Sequence, residues 1–210
     1  MPIAWNEDNL EDLPTIEKNL QEILREILLE APKRPKPTVS LAQSWHRNIY
    51  NGVALPVAYY AGEIRDSDPL YPELIDYEVV VGGRRGVPSE KVPSELASFE
   101  AALQERVDRL DLVLPVGHDS ETKDLRAILA LCAYAHGEWV RIHPFANGNG
   151  RTARLWVNWC AVRYGLPAFI RLKPRPEGIR YARAAAQSMI GDHSLMIDEL
   201  LVMLTLALLG

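Results

Sequence analysis

Apolar residues recur every three or four positions over most of the chain, a spacing that predicts helices. Ile16, Leu20, Ile23, Leu24, Ile27 and Leu28 form one such stripe, with Glu17, Lys18, Gln21 and Arg25 between them. Pro14 suits the first turn of that helix and Asp12 is placed to cap it. The run from Pro32 to Pro37 holds three prolines among Lys33, Arg34 and Lys36, which forbids regular helix and reads as a stiff, solvated connector. Residues 1–37 are therefore read as an arm docked by one amphipathic face, and residues 38–210 as the main domain. A second helix is expected from Thr38 through Leu41, Trp45 and Ile49 to Asn51-Gly52. A third, Ser94 to Leu112, carries Leu96, Phe99, Leu103, Val107 and Leu110 on one side. Leu125, Ile128, Leu129, Cys132, Ala135 and Trp139 mark a long buried face ending at Ile142. The stretch from about Gly150 to Tyr164 is apolar nearly all round, as expected of a central, enclosed helix that Gly165 and Pro167 stop. Leu195 to Leu209 is very apolar but too short to cross a bilayer, and it carries Asp198 and Glu199. It suits a core helix or a contact between copies. Tyr77 to Pro88 has a different pattern: Val79, Val80 and Val81 run into Gly82-Gly83 and then Arg84-Arg85, as in a short hairpin. The fold class is all-α, a helical bundle with one short β-hairpin.

Composition narrows the function classes. With 210 residues, 48% hydrophobic content and no low-complexity tract, the chain can bury one substantial core. A net charge of -5 without a Lys/Arg cluster argues against a nucleic-acid surface. Cys132 and Cys160 sit in apolar patterns without metal-ligand spacing, so two buried free thiols are expected, as in a reducing compartment. Met1 to Asp8 is acidic with no apolar run behind it, unlike a secretory signal. The expectation is a soluble, cytoplasmic protein with no membrane span.

The chemistry is concentrated between His143 and Arg154. Gly148-Asn149-Gly150 falls where the enclosed helix begins, and the free N–H groups of a helix start attract anions. Arg151 and Arg154, three apart, share a face, and Asn158 continues it. Two guanidinium forks beside such a turn suit a polyphosphate better than a lone carboxylate. The alternative is that both arginines are tied to acidic side chains within the core. His143, just upstream, is placed to accept a proton from an attacking hydroxyl. His46 and His136 read as structural histidines, and Phe145 as an anchor for the loop.

Read as His143-x-Phe145-x-Asn147-Gly148-Asn149-Gly150-Arg151-x-x-Arg154, this segment resembles the signature of Fic-domain proteins, His-x-Phe-x-(Asp or Glu)-Gly-Asn-Gly-Arg-x-x-Arg. The stretches Trp45 to Arg65 and Gly178 to Asp192 look similar to other parts of that domain, so the likeness extends from about Thr38 to the C-terminus. The resemblance implies a Fic-type bundle that transfers AMP from ATP to a Ser, Thr or Tyr hydroxyl of a target protein. His143 would be the general base. Gly148, Asn149, Gly150, Arg151 and Arg154 would hold the phosphates, and Tyr181 either walls the adenine or packs in the core. Val79, Val80, Val81, Gly82 and Gly83 would form the flap that pairs with the target, by strand addition to an open edge. Asn147 stands where the family carries the carboxylate that binds magnesium (Mg2+), so a weakened metal site is implied. That exchange keeps two alternatives open: transfer of another nucleotide- or phosphate-linked group, and a nucleotide-binding or docking module that has lost catalysis. No clean copy of the family's inhibitory motif, Ser/Thr-x-x-x-Glu-Gly/Asn, occurs; Thr15 to Asn19 and Ser188 to Asp192 lack the glutamate. Either a separate inhibitory protein supplies control or those matches are chance.

Overall fold

The computed structural model describes residues 3, 5, 9–81, 83–118 and 122–209. Its axis is helix α5, Asn149–Arg163, in which every residue except Gly150 is buried. An element without an exposed face must be wrapped on all sides, and the rest of the chain does this. Helices α1 (Leu13–Glu30), α2 (Val39–Ile49) and α4 (Thr122–Ile142) pack directly on α5; α3 (Val92–Val113) packs on α2 and α4. Helices α6 (Ile179–Ser188) and α7 (Ser194–Leu209) pack on each other and on α4. Aromatic side chains fill the centre: Trp156 meets Trp45 at 4.9 Å, Trp159 at 5.7 Å and Phe99 at 6.0 Å between ring centres.

The amphipathic stripe of α1 is buried through Ile16, Leu20, Ile23 and Ile27, in the same continuous core as α4 and α5. Pro14 lies in its first turn as expected, but the Asp12 side chain makes no cap bond. Its carboxylate instead accepts from Asn9 Nδ2 at 3.1 Å, and its backbone carbonyl takes the Ile16 N–H. Helix α2 has the cap that α1 lacks, with Thr38 Oγ1 accepting from Leu41 N at 3.2 Å. The proline run is mostly exposed, as expected of a spacer, but its backbone is also anchored. It contains one 3₁₀ turn, Ala31–Lys33, and is tied down where Arg163 donates to the Pro35 carbonyl (2.7 Å) and Gln104 to that of Pro37 (2.8 Å). Carbonyls left without N–H partners by proline are thus satisfied by side chains from the bundle.

The hairpin is minimal. Strands β1 (Val80–Val81) and β2 (Arg84–Arg85) are antiparallel, with Val80 opposite Arg85 and Val81 opposite Arg84. Gly83 takes a positive φ of 79° in the turn, a conformation that favours glycine. Among the described residues, seven α-helices and this two-stranded sheet make the class all-α, as expected. Cys132 and Cys160 are buried and free. Helix α7 buries Met196, Leu200 and Leu204 and leaves Leu206, Leu208 and Leu209 exposed. Among the described residues, no helix is long and apolar enough to cross a membrane.

Candidate functional site

Helix α4 ends at Ile142, and residues 143–148 turn the chain back into α5. His143 makes the turn with a positive φ of 54°, unusual for a residue with a Cβ. Its N–H still donates to Trp139 O (2.9 Å), so the backbone leaves the helix only after this residue. The ring is fixed by Nδ1, which lies 2.9 Å from the Val140 carbonyl. A carbonyl can only accept, so Nδ1 carries the proton and Nε2 keeps its lone pair. The ring is half-buried. Burial lowers its pKa to about 4; the Val140 carbonyl opposes the shift and the charge of Arg65 adds to it. At neutral pH the imidazole is therefore a proton acceptor.

The loop beyond it is braced from inside. Asn149 closes it like a clasp, accepting from Phe145 N and donating to Phe145 O, both at 2.9 Å. Its side-chain amide is spent on the loop, which leaves backbone N–H groups as what this residue offers a ligand. Phe145 is fully buried and stacks on His46 at 3.8 Å. His46 Nε2 donates to the Asn147 carbonyl (2.9 Å) while Nδ1 accepts from Gly62 N (2.8 Å). Complete burial drives the His46 pKa down to about 3, so it is a neutral brace. Gly148 is left-handed at φ 73°, and a Cβ there would stand 2.4 Å from Tyr50 Oη and 2.7 Å from His46 Nε2. Only glycine fits that turn.

Arg151 and Arg154 are both nearly fully buried, at 4% and 5% exposure, yet both line one open cavity. Arg151 donates to Tyr50 Oη (2.8 Å) and lies within cation–π range of its ring. Arg154 donates through Nε and Nη2 to the Leu172 carbonyl, at 3.2 and 2.8 Å. Its Nη1 reaches back over the start of α5, 3.3 Å from where a Gly150 Cβ would be. The Tyr50 hydroxyl and the Leu172 carbonyl, both neutral, help to orient the two guanidiniums. The third polar residue of this face, Asn158, points away from the cavity's chemistry and pairs with the backbone of Ile170 through both ends of its amide.

The cavity measures about 850 Å³, ample for a nucleotide-sized ligand. Its floor is the loop and α5 start, from His143 to Arg154. The hairpin approach, Tyr77 to Val80, and the segment Lys173, Pro174 and Arg175 also line it. Tyr181 and His136 close the inner end. Tyr181 Oη and His136 Nε2 are 2.8 Å apart, so Tyr181 is both a core residue and a cavity wall. Of the expected hairpin residues, Val79 and Val80 line the cavity, with Val79 buried and Val80 63% exposed. Gly83 and the Val81 backbone lie in the hairpin, and Gly82 is outside the described residues.

Asn147 lines the cavity, but both ends of its amide already have protein partners. Oδ1 accepts from Gly148 N (3.0 Å) and Nδ2 donates to the Trp5 carbonyl (3.1 Å). Among the described residues, no group of three or more His, Cys, Asp or Glu side chains could hold a metal ion. The donor set therefore does not fit a protein-held magnesium at this position. Several residues that build the site have no signature in the spacing of the sequence. Tyr50, Arg65, Glu78, Lys173, Arg175 and the Leu172 carbonyl reach it only through folding.

The fold is thus a helical bundle whose central helix brings two buried arginines to the same cavity as a histidine. The chain belongs to the Fic/DOC family, whose model matches residues 36–161. A uridine 5'-monophosphate transferase of Xanthomonas campestris pv. campestris is 32% identical over 80 residues, covering 38% of this chain and 13% of the relative. The protein adenylyltransferase Fic of Nematostella vectensis is 41% identical over 58 residues, covering 27% of this chain and 14% of that protein. The chain thus spans less than a sixth of the length of these curated relatives. A Fic domain containing signaling protein from Bacteroides thetaiotaomicron has the same fold, with a TM-score of 0.64 at 22% identity over 91% of this chain and 70% of that one. BepC of Bartonella tribocorum, with bound AMPPNP, gives a TM-score of 0.56 at 15% identity over 93% of this chain and 89% of that one.

Proposed function

We propose that the chain transfers a nucleoside monophosphate, AMP in the first instance, from a nucleoside triphosphate to a hydroxyl side chain of a target protein. The observation that carries this reading is the shared cavity: the free Nε2 side of a neutral His143 ring and the Arg151 and Arg154 guanidiniums face one space. The resemblance to adenylyltransferases and to a fold neighbour with bound AMPPNP supports the choice of donor.

His143 Nε2 takes the proton of a Ser, Thr or Tyr hydroxyl lying along Val79 to Gly83. The oxygen forms a bond to the α-phosphorus as the bond to the β-phosphate oxygen breaks, and pyrophosphate leaves. Backbone N–H groups at Asn149 and Gly150 meet the charge that develops on the α-phosphate, while Gly148, whose N–H is given to Asn147 Oδ1 and which does not line the cavity, shapes the turn rather than binding phosphate. Arg151 and Arg154 hold the β- and γ-phosphates, and Tyr181 bounds the base. No step requires a ligand from Asn147, since the phosphate charge is met by two guanidiniums and the helix start.

A second donor has a specific basis in the uridine 5'-monophosphate transferase relative. Incubation of the protein with a cell lysate and either α-labelled ATP or α-labelled UTP separates the two. Protein-bound label from ATP that disappears in His143→Ala is the expected result, a loss of about 10²-fold or more for removal of a general base. Label from UTP alone reassigns the donor. No label from either, with a triphosphate still bound tightly, leaves a nucleotide-binding module.

A further inference from the structure

Arg65 carries no signature residue's role, yet it is fully buried and its guanidinium is spent on backbone. Nε donates to the His143 carbonyl at 2.8 Å and Nη2 to that of Ile142 at 3.1 Å. Nη1 donates to the Tyr77 carbonyl at 2.6 Å, and Nη2 also to that of Val87 at 3.1 Å. Two of these carbonyls belong to the turn that presents the base; the other two are the roots on either side of the hairpin. The Arg65 N–H adds a fifth bond, to Pro144 O at 2.9 Å.

We propose that Arg65 is a positioning residue that sets the distance and angle between the target-docking hairpin and His143. This rests on the transfer reading above. The hairpin has only two residues in each strand, so it cannot hold its own orientation. Its other ties among the described residues are a backbone bond, Val87 N to Arg141 O at 3.3 Å, the close approach of Gly86, and apolar packing of Tyr77 and Val87, which is non-directional and does not by itself fix a register. A Cβ on Gly86 would stand 3.4 Å from the His143 Cβ and 2.8 Å from Val79 Cγ2. His143 itself is held in a left-handed conformation that a residue with a Cβ adopts only when its surroundings enforce it. Arg65 grips the carbonyl of that residue and the carbonyls on both sides of it. A planar fork with five donors can bridge two strands of backbone at once; a lysine ammonium is a single point and cannot. A hydroxyl laid along the hairpin reaches Nε2 only if both are in register, and a displacement of about 1 Å is enough to lose about 10²-fold in rate.

The test uses Arg65→Ala and Arg65→Lys in the full chain, first without any reaction. Hydrogen exchange should speed up at the Gly86 and Val87 amides in both variants, while amides within α5 keep their protection. Calorimetric binding of a non-hydrolysable ATP analogue should change by no more than about twofold. In the labelling assay, kcat for the target should then fall about 10²-fold in Arg65→Ala. Low millimolar guanidinium, but not equal sodium chloride, should restore part of it. Unchanged exchange at Gly86 and Val87 would overturn the proposal, as would analogue binding and labelling that fall together. If Arg65→Ala does not fold, the Arg65→Lys exchange pattern decides the matter. If the wild-type chain labels nothing, the transfer reading fails while the exchange data still decide the role of Arg65.

Discussion

At Asn147 one amide does two mechanical jobs, accepting from Gly148 N and holding the Trp5 carbonyl. Asn147→Asp leaves the first bond possible and abolishes the second, because a carboxylate has no hydrogen to give the carbonyl. The released oxygens gain the charge that magnesium prefers. The expected outcome is a rise of several-fold in labelling at millimolar magnesium, together with a loss of about 1–2 kcal/mol in stability from the broken tie. Transfer assays across a magnesium series and urea unfolding measure both. A variant that loses stability and gains no magnesium dependence would confine this position to bracing. His143, the glycines, Arg151 and Arg154 are legible in the sequence because they share one loop and one helix turn. Arg65 is not legible, since its carbonyl partners at Ile142 and His143 lie 77 and 78 residues away. A backbone carbonyl also leaves no trace in residue identity. Asn149 shows the converse: it is expected to hold phosphate, yet its side-chain amide is consumed by Phe145 on both sides, leaving its backbone N–H for that role.

The enclosed helix α5 follows directly from its pattern, since an all-round apolar run has nowhere to go but the centre. The segment after it does not, because residues 166–178 have no regular period. That segment is nevertheless part of the site, as Leu172 seats Arg154 and Lys173 to Arg175 line the cavity. Asn158 holds it in place through Nδ2 to Ile170 O (3.0 Å) and Oδ1 from Ile170 N (3.1 Å). Asn158→Ala strands a buried N–H and a buried C=O, at about 1–3 kcal/mol each. A loss of about 2–4 kcal/mol in urea unfolding is expected, with weaker binding of an ATP analogue because the Arg154 seat loosens. Full stability in this variant would show that the segment is held by its apolar contacts alone. The proline run teaches a related lesson: its charges suggest solvent, while its carbonyls are claimed by Arg163 and Gln104.

Over the whole molecule, acid is the weakness built into the core. His46 and His136 are fully buried, and burial pulls both rings from an ordinary 6.5 to about 3. The unfolded chain binds a proton at each where the folded chain does not, so stability rises with pH between about 3 and 6.5 and is complete above that window. Going down from pH 7 to pH 5, each ring removes about 2 kcal/mol, at about 1.4 kcal/mol per unit. Urea midpoints measured at pH 7.5 and pH 5 should therefore separate clearly. Identical midpoints would mean that both rings are protonated, or equally neutral, in folded and unfolded chains alike.

The burial of α5 bears on how the protein can change over generations. From Asn149 to Arg163 only Gly150 lacks full cover, and a Cβ at that position would press on Arg154. Drift has no free position there; each exchange asks a neighbour on α1, α2 or α4 to change with it. Descendants with quite different substrates would keep this stretch for the sake of packing. Shared letters in it record common architecture, and divergence of activity is to be sought at residues 173–175 and the hairpin, where side chains meet water.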